Sequence, residues 1–202
     1  MVVMYDAFSA LIFDMDGTIV DSGQMHEVAW IDALTRFGIP IDRPLMRSMT
    51  GMPTLATVQV LFDRFGQPSG VFAEDIRAYK DALVDKNFRT YVKPTPLVEV
   101  VKHYYGKKPM AVGTGARTTE ALEVLEICGL LSYFDAVVGI DQVDAPKPAP
   151  DTFLRCAQLM HVEPQHCVVF EDALLGMEAA RIAKMAVVDV EKDLKQINDY
   201  FL

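Results

Sequence analysis

Apolar residues recur with two different periods along this chain, and the change between them predicts its architecture. Leu11, Ile12 and Phe13 form a run too short and too uniformly apolar for an amphipathic helix, and predict a buried parallel strand. After Ser22 the period becomes helical: Val28, Ile31, Leu34 and Phe37 share one side of a helix over 26–37, which Gly38-Ile39-Pro40 ends. Helical patterns continue over 54–65 and 72–87, punctuated by Gly66 and by Pro68 to Gly70, and nothing reads as a strand before about Thr90. From Pro109 onward strands at 110–112, 136–138, 167–170 and 186–190 alternate with helices at 118–128, 151–160 and 173–183. Alternation of this kind predicts an α/β fold with a doubly wound, Rossmann-like parallel sheet and right-handed crossovers. The helical stretch after the first strand then predicts a small cap domain, 22–90, inserted into an α/β core formed by 1–21 and 91–202.

Composition narrows the function classes. With 202 residues, 51% of them hydrophobic, the chain can bury a core without staples. No segment reaches the roughly 18 consecutive apolar residues of a membrane helix, so no membrane partner is expected. Met1 to Phe8 lack a basic leader and a cleavage site. The three cysteines, Cys128, Cys156 and Cys167, lie in apolar contexts without metal-ligand spacing, and predict reduced core thiols in a cytoplasmic protein. A net charge of −9 argues against a nucleic-acid partner, because phosphate backbones need a basic face. An acidic enzyme can still bind a small-molecule phosphate ester through a bound cation and a few focused donors, and the chain is read as a monomer.

The candidate chemistry gathers at predicted strand ends. Asp14 and Asp16 follow the first strand, at the edge where open α/β sheets place their ligands. Carboxylates at this spacing can converge on one hard cation while one carboxylate is left free for chemistry. Gly17 permits the tight turn behind them. Gly113-Thr114-Gly115 closes the strand at 110–112, and Glu171-Asp172 closes the strand at 167–170. Lys147, between Pro146 and Pro148, is a cation on a backbone restrained to an extended form.

In order along the chain, Asp14-Met15-Asp16-Gly17-Thr18, Val112 to Ala116, Ala145 to Asp151 and Glu171-Asp172 resemble the four signatures of the haloacid dehalogenase-like hydrolase superfamily. The resemblance implies Asp14 as nucleophile, forming an aspartyl-phosphate, and Asp16 as general acid and base. It implies that Thr114 and the amide of Gly115 hold phosphoryl oxygens and that Lys147 neutralises Asp14 and the transferring group. Mg²⁺ is the implied cofactor, held by Asp14, the Asp16 carbonyl and Asp172, with Glu171 ligating directly or through water. The dehalogenase branch lacks the second aspartate, so Asp16 favours phosphoryl transfer over carbon–halogen cleavage.

Within the superfamily, 111–115, 133–138 and 167–173 look most like the sugar-phosphatase branch beside β-phosphoglucomutase, especially the bacterial fructose-1-phosphate and 6-phosphogluconate phosphatases. That resemblance adds Gln24 and His26, where the chain enters the cap, and Gly51, in a cap loop, as substrate-facing positions. The mutases carry a lysine and an arginine in that loop; Thr50 and Thr54 stand here, and neither pairs with a second phosphate. The alternatives left open are a sugar-phosphate mutase, a phosphonate hydrolase and a non-catalytic metabolite-binding domain. Arg77, Lys80 and Lys86 are read as the solvated face of a cap helix, and Trp30 as core.

Overall fold

The structure is a computed structural model that describes residues 5–197, 200 and 201, leaving aside the side chains of 87–89. Its chain begins with β1 (Ala10–Phe13), β2 (Val20–Asp21), α1 (Gly23–Arg36), α2 (Arg43–Ser48), α3 (Thr54–Phe65), α4 (Ala73–Tyr91), β3 (Lys93–Pro94) and α5 (Val98–Tyr104). There follow β4 (Met110–Gly113), α6 (Thr118–Ile127), β5 (Ala136–Val138), α7 (Asp151–Leu159), β6 (Cys167–Glu171), α8 (Leu174–Ile182), β7 (Ala186–Asp189) and α9 (Val190–Leu194). The chain divides into two compact units, one made of Ser22–Tyr91 with Tyr200 and Phe201, the other α/β.

The α/β unit is built on a five-stranded sheet in the order β5-β4-β1-β6-β7, with every neighbouring pair parallel. β1 is central, and all four of its side chains are fully buried, which explains why its sequence is uniformly apolar. Successive side chains take opposite faces. Ala10 and Ile12 join a cluster with Ala111, Phe153, Cys156 and Val169. Phe13, facing the other way, stacks on Phe170 at a centroid distance of 4.7 Å, and Tyr5 meets Phe170 edge-on. Each such side chain removed from water contributes about 1.5–3 kcal/mol.

Local chemistry sets several boundaries that periodicity does not. β2 and β3 pair antiparallel, with Val20 opposite Pro94 and Asp21 opposite Lys93; they flank the helical stretch, which holds no strand among the described residues, and neither is anticipated by the sequence pattern. Two-residue strands carry no measurable period. α2 and α5 are likewise absent from the periodic pattern. α2 starts because Asp42 Oδ1 accepts a hydrogen bond from Leu45 N at 3.0 Å and Pro44 fits the first turn. α1 begins at Gly23, a turn earlier than the apolar stripe suggests.

The helical unit has its own core of Trp30, Leu34, Met46, Leu61, Phe62 and Ile76. Tyr200 and Phe201 are buried in it as well, a placement that the boundary drawn from sequence does not anticipate. Lys80 is not on a solvated face: it is 7% exposed, with Nζ 5.6 Å from the Trp30 ring centre. Its aliphatic stem is buried while its charge meets an aromatic face.

Candidate active site

The site begins at the level where three parallel strands stop. Phe13 pairs with Val112 on one side and Phe170 on the other, so Asp14, Gly113 and Glu171 leave the sheet side by side. Asp14 N donates to Phe170 O at 3.0 Å, which carries the ladder one residue past the strand. The turn then closes on itself: Val20 N donates to Met15 O at 2.9 Å and Gly17 N to Val20 O at 2.8 Å. Gly17 has φ +83°, a left-handed conformation that a side chain would disfavour, as the sequence predicts for this position.

Lys147 reaches this turn from the loop before α7. Its Nζ donates to Asp14 Oδ1 at 2.6 Å and to Glu171 Oε2 at 2.8 Å, and lies 4.6 Å from the Phe153 ring centre. Glu171 Oε1 accepts from Ala173 N at 3.1 Å. Both oxygens of this carboxylate are therefore engaged, and Glu171 serves first as the partner of Lys147. Asp172 Oδ1 accepts from Thr18 Oγ1 at 3.3 Å, tying the end of β6 to the turn after β1. Thr114 is buried at the end of β4; its N donates to Val138 O at 2.9 Å and its Oγ1 accepts from Ala116 N at 3.1 Å. Among the described residues no acceptor takes the threonine O–H, which leaves it as a donor. A Cβ on Gly115 would meet nothing within 4 Å, so the space beside its Cα is open.

The charges explain one another. Burial raises Asp14 above the usual carboxylate range; Lys147 opposes the shift and Asp16 adds to it. Burial, and then the charge of Asp14, push Glu171 up to about 8. For Lys147 burial works against the charge, but Asp14 and Glu171 outweigh it and hold the ammonium protonated above its ordinary range. All three shifts have one origin: a buried cluster in which anions outnumber cations.

Carboxylate oxygens of Asp14, Glu171 and Asp172 lie within 4.8 Å of one another. Three carboxylates against one ammonium form a hard-oxygen, negatively charged donor set, and that fits Mg²⁺. The geometry thus joins Asp14, Lys147, Glu171 and Asp172 directly, with Asp16 two residues along the same turn and Thr114 and Gly115 after the neighbouring strand. Gln24 and His26 lie in the first turn of α1, and Gly51, at φ +77°, follows α2. These three belong to the helical unit.

One supporting residue is missing from the sequence-based site. Gly176, inside α8, faces Glu171: a Cβ there would stand 2.0 Å from Oε2 and 2.2 Å from Cδ of that side chain. The glycine is the cavity that holds the carboxylate. A glycine within a helical pattern, five residues after an acidic strand end, is the signal, because it forgoes about 1 kcal/mol relative to alanine.

Residues 11–190 match the model of the haloacid dehalogenase-like hydrolases, and the chain belongs to that family. It is 45% identical over 190 residues to the fructose-1-phosphate phosphatase YqaB of Escherichia coli, covering 93% of this chain and 98% of that one. A phosphorylated carbohydrates phosphatase of Thermotoga maritima is 30% identical over 179 residues, 86% of this chain and 81% of the relative. Among solved structures, β-phosphoglucomutase of Clostridium difficile superposes with a TM-score of 0.72 at 25% identity, covering 94% of this chain and 88% of that chain. The α/β fold with its central parallel sheet agrees with that solved structure.

Proposed function

We propose that this chain is a Mg²⁺-dependent phosphatase of small phosphomonoesters, sugar phosphates such as fructose 1-phosphate or 6-phosphogluconate, working through an aspartyl-phosphate. The observation that carries the reading is the Lys147 ammonium 2.6 Å from the Asp14 carboxylate, beside Glu171 and Asp172 at the sheet edge. The sugar-phosphate relatives support the substrate class. Asp14 attacks phosphorus, an O–P bond forms, and the ester P–O bond breaks as Asp16 donates a proton to the departing alcohol. Asp16 then takes a proton from the water that attacks the aspartyl-phosphate, which releases inorganic phosphate and restores the Asp14 carboxylate.

Lys147 stays charged throughout and faces the negative charge of the transferring group. Thr114 O–H and the Gly115 amide donate to the phosphoryl oxygens. Mg²⁺, held by Asp14, Asp172 and the Asp16 carbonyl with Glu171 behind Lys147, would supply charge neutralisation to the phosphoryl group. Gln24, His26 and Gly51 are the positions assigned to the alcohol portion of the substrate. Thr50 and Thr54 offer no cation for a second phosphate, which favours hydrolysis over the mutase reaction. No helix among the described residues is long and apolar enough to cross a membrane, and a monomeric cytoplasmic enzyme is part of this reading.

The test is phosphate release from a panel of sugar phosphates, with Mg²⁺ and with chelator, for wild type and Asp14→Asn. Release that needs Mg²⁺ and is abolished in the folded variant is expected. Turnover by Asp14→Asn near the wild-type rate would overturn the mechanism, and no release from any ester would overturn the activity.

A further inference from the structure

The family match ends at residue 190, yet the chain beyond it returns to the catalytic turn. Lys195, at φ +59°, ends α9 in a left-handed conformation, and Gln196 N donates to Val190 O at 3.1 Å. This backbone reversal aims the Gln196 side chain back at the sheet edge. Its Nε2 donates to Gly17 O at 2.9 Å and to Thr18 O at 2.6 Å. Both donors of one amide group are thus spent on two successive carbonyls of the turn that carries Asp14 and Asp16. Thr18 O also accepts from Thr95 Oγ1 at 2.7 Å, while Thr18 Oγ1 donates to Asp172 Oδ1 at 3.3 Å.

Thr18 is therefore gripped from three directions, and one of them is a residue outside the matched region. Tyr200 and Phe201 belong to the helical unit, where Arg47 Nη1 donates to Tyr200 O at 2.9 Å and Phe201 N to Glu27 Oε2 at 2.7 Å, with both rings buried.

We propose that Gln196 is a positioning residue of the active site, holding the Asp14–Thr18 turn through the Gly17 and Thr18 carbonyls. It acts through the turn: with the carbonyls of Gly17 and Thr18 fixed, the backbone between Asp14 and Thr18 cannot slide, and Asp16 and the Thr18 hydroxyl keep their places. Alanine loses both donors. Glutamate keeps the shape but sets a carboxylate against two carbonyl oxygens.

The proposal rests on the phosphatase reading for its kinetic consequence only, so the test has a readout that needs no turnover. Amide hydrogen exchange is followed in the full-length protein for wild type, Gln196→Ala and Gln196→Glu, with Ile197→Ala as a control on an exposed neighbour. Exchange over Gly17 to Val20 should accelerate about fivefold or more in both Gln196 variants, while β6 is unchanged. On the preferred ester, kcat should fall about tenfold with KM moving by less than about threefold, because the turn and not the binding surface has loosened. Unchanged exchange in the turn would overturn the proposal. Faster exchange with undiminished kcat would also overturn it, because the brace would then not serve the reaction. A wild-type protein that hydrolyses no ester refutes the phosphatase reading, and the exchange result still decides whether Gln196 holds the turn.

Discussion

Replacing Gly176 by alanine should destabilise this protein, although the same change in an ordinary helix interior is favourable by about 1 kcal/mol. The added Cβ would lie 2.0 Å from Glu171 Oε2, against an ordinary contact of 3.4 Å or more, so the carboxylate must retreat by more than an ångström. It has nowhere to go without loss. Glu171 is 1% exposed, and its two oxygens are held by Lys147 at 2.8 Å and Ala173 N at 3.1 Å. Overpacking of a filled interior costs about 1–3 kcal/mol, and a lost hydrogen bond to a charged group about 1.5–3 kcal/mol. Set against the helix gain, the expected loss is about 2–4 kcal/mol, a Tm decrease of roughly 5–15 °C for a chain of this size. Lys147 loses one of its two anchors, and a misplacement of this order in a reacting site lowers the rate about 100-fold. Thermal unfolding and kcat/KM on the same preparations check both figures. A Tm equal to or above wild type, with activity kept, would show that Gly176 does not hold the space for Glu171.

Three further outcomes follow from the same charges and burial. Lys147→Ala leaves Asp14 and Glu171 buried without their shared cation, and urea unfolding without metal should show a loss of about 3–5 kcal/mol; a loss below about 1 kcal/mol would contradict the ion-pair geometry. Mg²⁺ at 100 times its dissociation constant should stabilise the wild type by about 2.7 kcal/mol, and Asp172→Ala should remove most of that gain in a thermal shift measured with and without chelator. Cys156 and Cys167 are fully buried, with burial pushing their thiols up to about 12 and about 11. Both should resist a thiol reagent at pH 8 in the native state and react on unfolding, and rapid modification of either in the native protein would refute their placement.

The residues that sequence makes legible are those whose chemistry is local. Asp14, Thr114 and Asp172 each follow a strand made evident by a short apolar run, and a parallel sheet brings the ends of such strands to one edge whatever lies between them. Lys147 is legible for a different reason, because flanking prolines single out its loop. What sequence conceals is the support. Glu171 is visible as an acid at a strand end, but its commitment to Lys147 depends on a cavity supplied by a glycine on the next helix. Gln196 lies 178 residues from the carbonyl of Thr18 that it holds, in a segment without period or signature. Tyr200 and Phe201 look like a tail on the α/β core until burial places them among Trp30, Leu34 and Met46.

The difference is physical. A nucleophile or a metal ligand must be a particular residue type at a particular strand end, and so leaves a pattern. A brace needs only a donor of suitable reach, and any element that passes close enough can supply it. Two enzymes with the same signatures can therefore hold their catalytic turns by unrelated contacts. In this chain that contact is the amide of Gln196, closing on the Gly17 and Thr18 carbonyls from beyond the matched region.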